Sequence, residues 1–270
     1  MITLLLAGWA AIAAAQALLW WEQRRSQDAS LVDVGWSAAL VVLALGFALA
    51  SDGLTARRAL VGAMGAVWGG RLAWHLARRI VADRRHRDAD HREDGRYRTL
   101  RARWGAAAQR NFFIFFQVQA VWSVMFAVPF LIAMRADRAA LTWQDGLGVA
   151  IWAIGVAGEA VADAQLARFR ADPGHRGRTC RAGLWRYSRH PNYFFEWLTW
   201  WAYVAIAWGA PHGWVALFGP AVMLLFLFKV TGIPYTEAQA LRSRGDDYRA
   251  YQRTTSAFVP WFPRADAEEA

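Results

Sequence analysis

The sequence predicts an all-α integral membrane protein, a bundle of about seven transmembrane helices that forms one domain over residues 1–270. Of the 270 residues, 56% are hydrophobic and only 19% are charged, which is fewer than in a typical soluble domain. The apolar residues form long runs and the arginines lie between these runs, a pattern typical of membrane proteins. So apolar a composition excludes a disordered chain. The single cysteine, Cys180, excludes a disulfide scaffold and a thiolate zinc site.

Seven windows are long and apolar enough to cross the hydrocarbon core of a bilayer, which takes about 20 mostly apolar residues in a helix. They are Ile2–Trp21, Leu31–Ala50, Ala59–Ala77, Asn111–Met134, Trp143–Leu166, Pro191–Trp208 and Gly213–Ile233. The first window has only Gln16 as a strongly polar residue, and no basic residues precede it. We therefore expect a membrane span there and not a secretory signal. The charge-dense segment Asp83–Asp94 is predicted to be a solvated loop.

The arginines are divided unequally between the two sides of this bundle. With seven spans, 25 arginines fall in the loops and tail on one side and 4 in the loops on the other. Because short arginine-rich loops remain in the cytoplasm, the N-terminus is expected outside and the C-terminus inside. The segregated charges favour a membrane protein over a nucleic-acid-binding protein. We expect a monomer that lies in a bacterial inner membrane.

Ionisable side chains inside the predicted spans are the main functional signal. Each costs at least about 2.5 kcal/mol to insert at the bilayer centre, so such groups usually face the bundle interior. They are Asp33, Arg71, His75, Glu159, Asp163, Glu196 and Lys229. For His75 and Lys229 we favour snorkelling to the interface. For the short carboxylates Asp33, Asp163 and Glu196 we favour a functional role.

A polar stripe is predicted on the fifth span. Glu159, Asp163 and Arg170 are separated by four and then seven residues, which places them on one face of a helix. The stripe leads to a basic loop, and this arrangement predicts a pocket for a long ligand with phosphates at one end. Arginines would bind the phosphates in a bidentate manner, and the carboxylates would bind hydroxyl or carboxamide groups.

The polar side chains are most concentrated between residues 181 and 196. Pro191 fits the first turn of the sixth helix, and the amide groups at that helix start, with Arg186, Arg189 and His190, predict an anion site. The alternative interpretation is a juxtamembrane patch that binds acidic lipid.

Within this segment, Gly183-Leu-Trp-Arg-Tyr-Ser-Arg-His-Pro-Asn-Tyr193 resembles a signature shared by two groups of membrane enzymes. One is the steroid 5-alpha-reductase-like family, including its bacterial DUF1295 branch, which uses NADPH. The other is the isoprenylcysteine carboxyl methyltransferase group, which uses S-adenosylmethionine and shares chiefly the C-terminal third. Further motifs resemble the reductase branch over nearly the whole chain. They are Val32-Asp33-Val34-Gly35-Trp36, Trp68-Gly69-Gly70-Arg71, Arg96-Tyr97, Ala162-Asp163-Ala164-Gln165 and Thr254-Thr255-Ser256.

The resemblance implies an NADPH-dependent reductase of an activated C=C bond in a lipid or steroid-like substrate. The cofactor would bind from the cytosol, and residues 111–263 would carry the cofactor-binding region. The residues carried over to cofactor binding are Glu159, Asp163, Arg170, Arg181, Tyr187, Arg189, His190, Asn192, Tyr193, Glu237 and Tyr248. We expect Asp33 to polarise a carbonyl or donate a proton, Arg71 to stabilise enolate charge and Glu196 to orient the nicotinamide. No metal is expected.

The residues expected to contact the substrate differ from those of the steroid reductases proper, which carry a Gln-Glu pair on the second helix and a Tyr on the third. This chain has Asp33 and Trp36 on the second and Trp68 and Arg71 on the third, so a steroid substrate is not implied. Two alternatives stay open, a membrane methyltransferase that uses S-adenosylmethionine and a non-catalytic lipid-binding protein. The number of arginines favours NADPH, because S-adenosylmethionine is itself a cation.

Overall fold

The computed structural model describes residues 1–86, 93–230 and 232–265. Over these residues the chain is built from α-helices and short 3-10 and π turns, without a β-strand, so the predicted all-α class is confirmed. The helices are α1 Ile2–Ser26, α2 Leu31–Ala50, α3 Thr55–His86, α4 Gly95–Trp104, α5 Ala108–Met134, α6 Trp143–Ala171, α7 Pro191–Ala207, α8 Phe218–Leu225, α9 Ile233–Arg244 and α10 Asp246–Thr254. Because α3 continues to His86, the start of the predicted charged loop is helical, and residues 87–92 of that loop lie outside the described residues.

Five helical segments among the described residues are long and apolar enough to cross a membrane, which indicates an integral membrane protein. They are Ile2–Ser26, Leu31–Ala50, Gly95–Met134, Trp143–Ala171 and Gly213–Arg244. The predicted count of seven is not confirmed. The other two predicted spans are helical, but α7 has only 17 residues, and Arg71 and His75 lower the hydropathy of α3. The orientation of the termini stays a prediction.

The chain divides into two compact units, and whether it forms a single domain stays a prediction. The first unit is Met1–Leu141 with Gly209–Ala216, in which α2 packs against α3 and α5 and α1 packs against α5. Glycines set the approach of α3 to α2. A Cβ at Gly65 would lie 2.7 Å from the Cβ of Ala44, so the two backbones come as close as small residues allow.

Two arginines at the start of α3 bind backbone carbonyl groups of this unit. Arg57 is fully buried and donates hydrogen bonds to the carbonyl oxygens of Ala136 at 3.0 Å, Arg138 at 3.1 Å and Ala140 at 2.6 Å. Arg58 binds two carbonyl oxygens at the end of α2 at 2.9 and 2.7 Å. The last carbonyls of a helix have no partner within the helix, so Arg58 satisfies those at the end of α2, whereas Arg57 satisfies carbonyls of the loop that follows α5.

The second unit is Thr142–Trp208 with Leu217–Ala270. It is centred on α6 and α7, which pack along their length. A capping box begins α6, because the Thr142 amide donates to Asp145 Oδ2 at 2.8 Å while the Thr142 side chain caps the third residue of the helix. Glycines again bring the helices together. A Cβ at Gly155 would lie only 2.3 Å from Thr199 Oγ1.

The last predicted span, Gly213–Ile233, is not one regular helix. A 3-10 turn over Gly213–Leu217 precedes α8, and a π turn over Phe226–Val230 follows it. Pro234 explains why the segment cannot continue as an α-helix, since it has no N–H to donate to the carbonyl four residues earlier. Gly232 is required at the turn because a Cβ there would lie 2.4 Å from the carbonyl oxygen of Leu227.

Candidate functional site

The predicted polar stripe is present on α6 in the second unit. Glu159 is buried, Asp163 is half-buried and Arg170 is exposed, so the three residues lead from the packed interior to the surface. Asn192, on the first turn of α7, donates its side-chain amide to Asp163 Oδ1 at 3.1 Å. The stripe on α6 and the signature segment at α7 therefore meet at this hydrogen bond.

The start of α7 is fixed by the residues that precede it. Pro191 occupies the first turn, as predicted. Ser188 Oγ accepts a hydrogen bond from the amide of His190 at 3.1 Å and donates one to the carbonyl of Phe258 at 2.8 Å. This buried serine orders the turn before α7 and also ties it to the C-terminal tail.

Two aromatic side chains of the signature face α9. The rings of His190 and Tyr193 are stacked, with centroids 5.3 Å apart. The Tyr193 hydroxyl shares a hydrogen bond of 3.2 Å with the hydroxyl of Thr236 on α9. Glu196 lies one turn after Asn192 on α7 and is half-buried.

Glu237 is the centre of a hydrogen-bond network that includes His190, one of the two stacked rings. Its Oε1 accepts from Arg189 Nε at 2.7 Å, lies 3.3 Å from His190 Nε2 and accepts from the Tyr248 hydroxyl at 3.3 Å. Its Oε2 accepts from the Gln252 amide at 2.9 Å. One carboxylate thus links the signature segment to α9 and α10.

Further hydrogen bonds hold α10 in place. Arg189 Nη1 donates to the carbonyl oxygens of Gln252 at 3.0 Å and Thr255 at 2.7 Å, and the Tyr251 hydroxyl donates to the carbonyl of Ser188 at 3.0 Å. Burial raises the pKa of Tyr251. Burial, together with the negative charge of Glu237, also raises the pKa of Tyr248. Both hydroxyls are therefore protonated donors. The structure shows Arg189, Glu237 and Tyr248 engaged with this network, and their predicted contact with a cofactor stays a prediction.

A cavity of about 350 Å³ opens between the end of α6, the loop after it and α9. We call it the arginine cavity. Among the residues that the structure describes, no carboxylate lines it, and its cationic and potentially cationic lining residues are Arg170, His175, Arg176, Arg178 and Arg244. No hydrogen bond or ion pair joins the guanidinium groups of Arg170, Arg176 or Arg178 to another described residue. Of the four arginines, the sequence predicted only Arg170.

The arginine cavity is joined to the signature segment through Thr236, which lines the cavity and hydrogen-bonds Tyr193. At the opposite wall the ring of His175 stacks on Phe169, with centroids 4.1 Å apart. Cys180 is buried close to Arg170, and burial raises the pKa of its thiol although this arginine acts in the opposite direction. Cys180 is therefore a packed thiol and not a reactive one.

Two predicted cofactor residues lie away from the arginine cavity. Arg181 is exposed and donates to Asp247 Oδ1 at 3.1 Å and to the carbonyl of the same residue at 2.7 Å. The ring of Tyr187 contacts Phe262 edge-on, and its carbonyl accepts from the amide of Trp261 at 2.8 Å. Arg181 therefore positions α10, and Tyr187 positions the tail that follows α10.

The predicted catalytic residues Asp33 and Arg71 belong to the first unit. Asp33 Oδ1 accepts from the hydroxyl of Tyr97 at 2.6 Å, and Oδ2 accepts from Arg96 Nη2 at 2.8 Å. Asp33 therefore holds α4 against α2, and its role as a proton donor stays a prediction. Arg71 is half-buried on α3. Among residues 1–86, 93–230 and 232–265, no three His, Cys, Asp or Glu side chains are grouped as a metal site would require.

The sequence profile of a family described as a protein of unknown function, DUF1295, matches residues 19–255. This match covers most of the chain. The chain belongs to the DUF1295 family. The predicted resemblance is thereby confirmed. No curated protein and no solved structure matches the chain.

Most of the arginine cavity was missed from sequence because its residues lie outside the segment on which the resemblance rested. That segment runs from Gly183 to Tyr193, whereas Arg176 and Arg178 precede it and Arg244 follows it by more than 50 residues. One feature of the sequence could have indicated two of these arginines. Arg176 and Arg178 directly follow Arg170 in the basic loop, at the exposed end of the stripe.

Proposed function

We propose that this DUF1295 chain is an integral membrane reductase that uses NADPH to reduce an activated C=C bond in a lipid. The observation that carries the proposal is the arginine cavity. Of the described residues, four arginines and no carboxylate line it, and Thr236 connects it to the signature segment.

The charge of the arginine cavity discriminates between the two cofactors. NADPH carries a 2′-phosphate and a pyrophosphate, and guanidinium groups bind such groups in a bidentate manner. Each charge-assisted hydrogen bond contributes about 1.5–3 kcal/mol. S-adenosylmethionine is a cation and would be repelled by the same four side chains. Arg170, Arg176, Arg178 and Arg244 therefore support the reductase over the methyltransferase.

The side chains beyond Thr236 have the chemistry that the remaining part of a dinucleotide requires. Tyr193 offers a hydroxyl, and the Asp163–Asn192 pair offers an acceptor and an amide at 3.1 Å from each other. We assign ribose hydroxyls to Asp163 and Tyr193 and the nicotinamide carboxamide to Asn192 and Glu196. Because Asn192 is held by Asp163, its amide is fixed before the cofactor arrives.

When bound, NADPH supplies the hydride for the reduction, and the protein supplies orientation and electrostatics. Reduction of an enone also needs an acid and a group that stabilises negative charge on oxygen. We assign the charge stabilisation to Arg71 and the proton to Asp33, which has to exchange its ion pair with Arg96 for a proton before it can act. The substrate that this chemistry requires is a lipid with a carbonyl conjugated to its double bond.

The test is cofactor binding by the detergent-purified protein. NADPH and S-adenosylmethionine are titrated separately while thermal unfolding is recorded. A ligand at 100 times its Kd stabilises the folded state by about 2.7 kcal/mol. Stabilisation by NADPH alone supports the proposal, whereas stabilisation by S-adenosylmethionine alone contradicts it and favours the methyltransferase. No effect of either ligand on the folded protein favours the non-catalytic lipid-binding protein.

A further inference from the structure

Two of the three buried side chains of α1 are glutamines. The buried residues are Ile12, Gln16 and Gln23, and their spacing places them on one face of the helix. Gln23 is satisfied there, because its Nε2 donates to Gln109 Oε1 at 2.7 Å and its Oε1 accepts from Arg101 at 3.2 Å. These bonds give Gln23 a structural role, whereas Gln16 lies seven residues deeper in the same candidate membrane span.

Gln16 is buried without the hydrogen bonds that its amide requires. It is 1% exposed, and neither Nε2 nor Oε1 has a hydrogen-bond partner among the residues that the structure describes. Glutamine side chains within membrane spans commonly bond to a neighbouring helix. An unsatisfied amide in an apolar interior lowers the stability of the fold. Because such groups are rare in folded proteins and often mark functional positions, Gln16 is a candidate binding residue.

The Gln16 amide faces α2 at a glycine. A Cβ at Gly35 would lie 3.5 Å from both Oε1 and Nε2 of Gln16 and 2.3 Å from Leu19 Cδ1, so a larger residue would not fit beside the amide. On α1, Gln16 lies in the run Ala13-Ala14-Ala15-Gln16-Ala17, and the two alanines directly before it are exposed. These short side chains allow an alkyl chain to approach the amide from the lipid side of α1.

We propose that Gln16 binds the hydroxyl group of a lipid whose alkyl chain lies along α1. Both atoms of the amide lack a partner, so the matching group has to donate a hydrogen bond to Oε1 and accept one from Nε2. A hydroxyl does both. An ether, ester or ketone oxygen accepts only, and it would leave Oε1 unsatisfied. That this lipid is the compound to be reduced rests on the proposed function, whereas its binding does not.

The experiment compares two lipids that differ in one hydrogen-bond donor. Delipidated, detergent-purified protein is titrated with oleyl alcohol and, separately, with oleyl methyl ether, and the bound lipid is measured by native mass spectrometry. The ether keeps the chain and the acceptor oxygen but has no hydrogen to donate to Gln16 Oε1. We expect the alcohol to bind about tenfold more tightly, which corresponds to about 1.4 kcal/mol.

Q16M tests the residue itself, because methionine is unbranched like glutamine and has no amide. This variant should bind the two lipids equally. It removes two unsatisfied polar atoms, so its midpoint of thermal unfolding should be unchanged or raised. Q117M is the matched control. Gln117 on α5 already donates to the carbonyl of Ala13 at 3.3 Å, so its loss should leave the preference for the alcohol intact.

Equal affinity of the wild type for the alcohol and the ether would overturn the proposal. A preference for the alcohol that persists in Q16M would also overturn it, and Q16L replaces Q16M if the latter does not fold. Binding of the alcohol by a protein that NADPH does not stabilise would support the lipid site and contradict the reductase. Stabilisation by NADPH with equal affinity for the two lipids would contradict the lipid site alone, so the two proposals fail separately.

Discussion

The guanidinium of Arg189 donates to the carboxylate of Glu237 across 2.7 Å, and this ion pair joins the segment before α7 to α9. The side chains are 12% and 16% exposed, so neither is well solvated. Glu237 also binds Tyr248 and Gln252 on α10. A single carboxylate thus sets the position of the last two helices relative to the signature.

Replacement of Glu237 by Ala should destabilise the protein by about 3 kcal/mol, because removing one partner of a poorly solvated ion pair leaves the other uncompensated. Unfolding of the detergent-solubilised protein by denaturant measures the loss. The control is D246A, which breaks the Asp246–Arg249 pair, whose side chains are 95% and 61% exposed. That variant should lose less than about 0.5 kcal/mol, and equal losses in both would refute the role of Glu237.

Close helix packing predicts opposite outcomes at two glycines of α6. A Cβ at Gly155 would lie 2.3 Å from Thr199 Oγ1 and 2.9 Å from the carbonyl of Phe195, whereas no atom lies within 4 Å of one at Gly146. G155A should therefore cost about 1–3 kcal/mol through overpacking. G146A should be neutral or stabilising by up to about 1 kcal/mol, since alanine has the better helix propensity. Thermal unfolding of both variants in the same detergent checks the sign of each change.

The proposed cofactor site predicts that R170Q and R178Q each weaken NADPH binding by about tenfold or more. Both guanidinium groups line the arginine cavity and are exposed, so the stability of the unliganded protein should change little. Isothermal titration calorimetry gives the affinities, with R249Q as the control for net charge. Unchanged NADPH affinity in both cavity variants would remove the main support for the reductase.

Replacement of Asp33 by Asn should abolish NADPH oxidation with enone lipids and leave NADPH binding intact. The amide keeps an acceptor for the Tyr97 hydroxyl, which now donates to Asp33 at 2.6 Å, but it cannot transfer a proton. Y97F removes the same hydrogen bond and retains the carboxylate, so it should keep measurable turnover. Loss of both turnover and cofactor binding in D33N would assign Asp33 a structural role.

The lowered pKa of Asp94 predicts that the folded state loses stability in acid. Burial opposes its ionisation, but hydrogen bonds from Arg96 at 2.9 and 3.1 Å outweigh burial and lower the pKa of Asp94 from its ordinary value. A carboxyl group with a lowered pKa in the folded state contributes stability above its unfolded pKa and loses it as the pH falls through the folded pKa. Thermal stability should therefore fall below about pH 4, and less steeply in D94N. Parallel pH profiles of the wild type and D94N would contradict this assignment.

The sequence by itself determined the features that depend on neighbouring residues. Hydropathy predicted the all-α class, and the helical period placed Glu159, Asp163 and Arg170 on one face of α6. The signature segment indicated the DUF1295 family, and the family match confirms it. The first two follow from composition and from spacing within one segment, and the family follows from the resemblance of the motifs.

Only the tertiary structure decided which distant side chains meet. Arg189 and Glu237 are 48 residues apart, and Arg170 and Arg244 line one cavity from positions 74 residues apart. The break of the last predicted span at Phe226–Val230 also had no clear sequence signal apart from Pro234. Such contacts depend on how closely helices approach, and glycine positions such as Gly155 set that distance through packing that no single segment specifies.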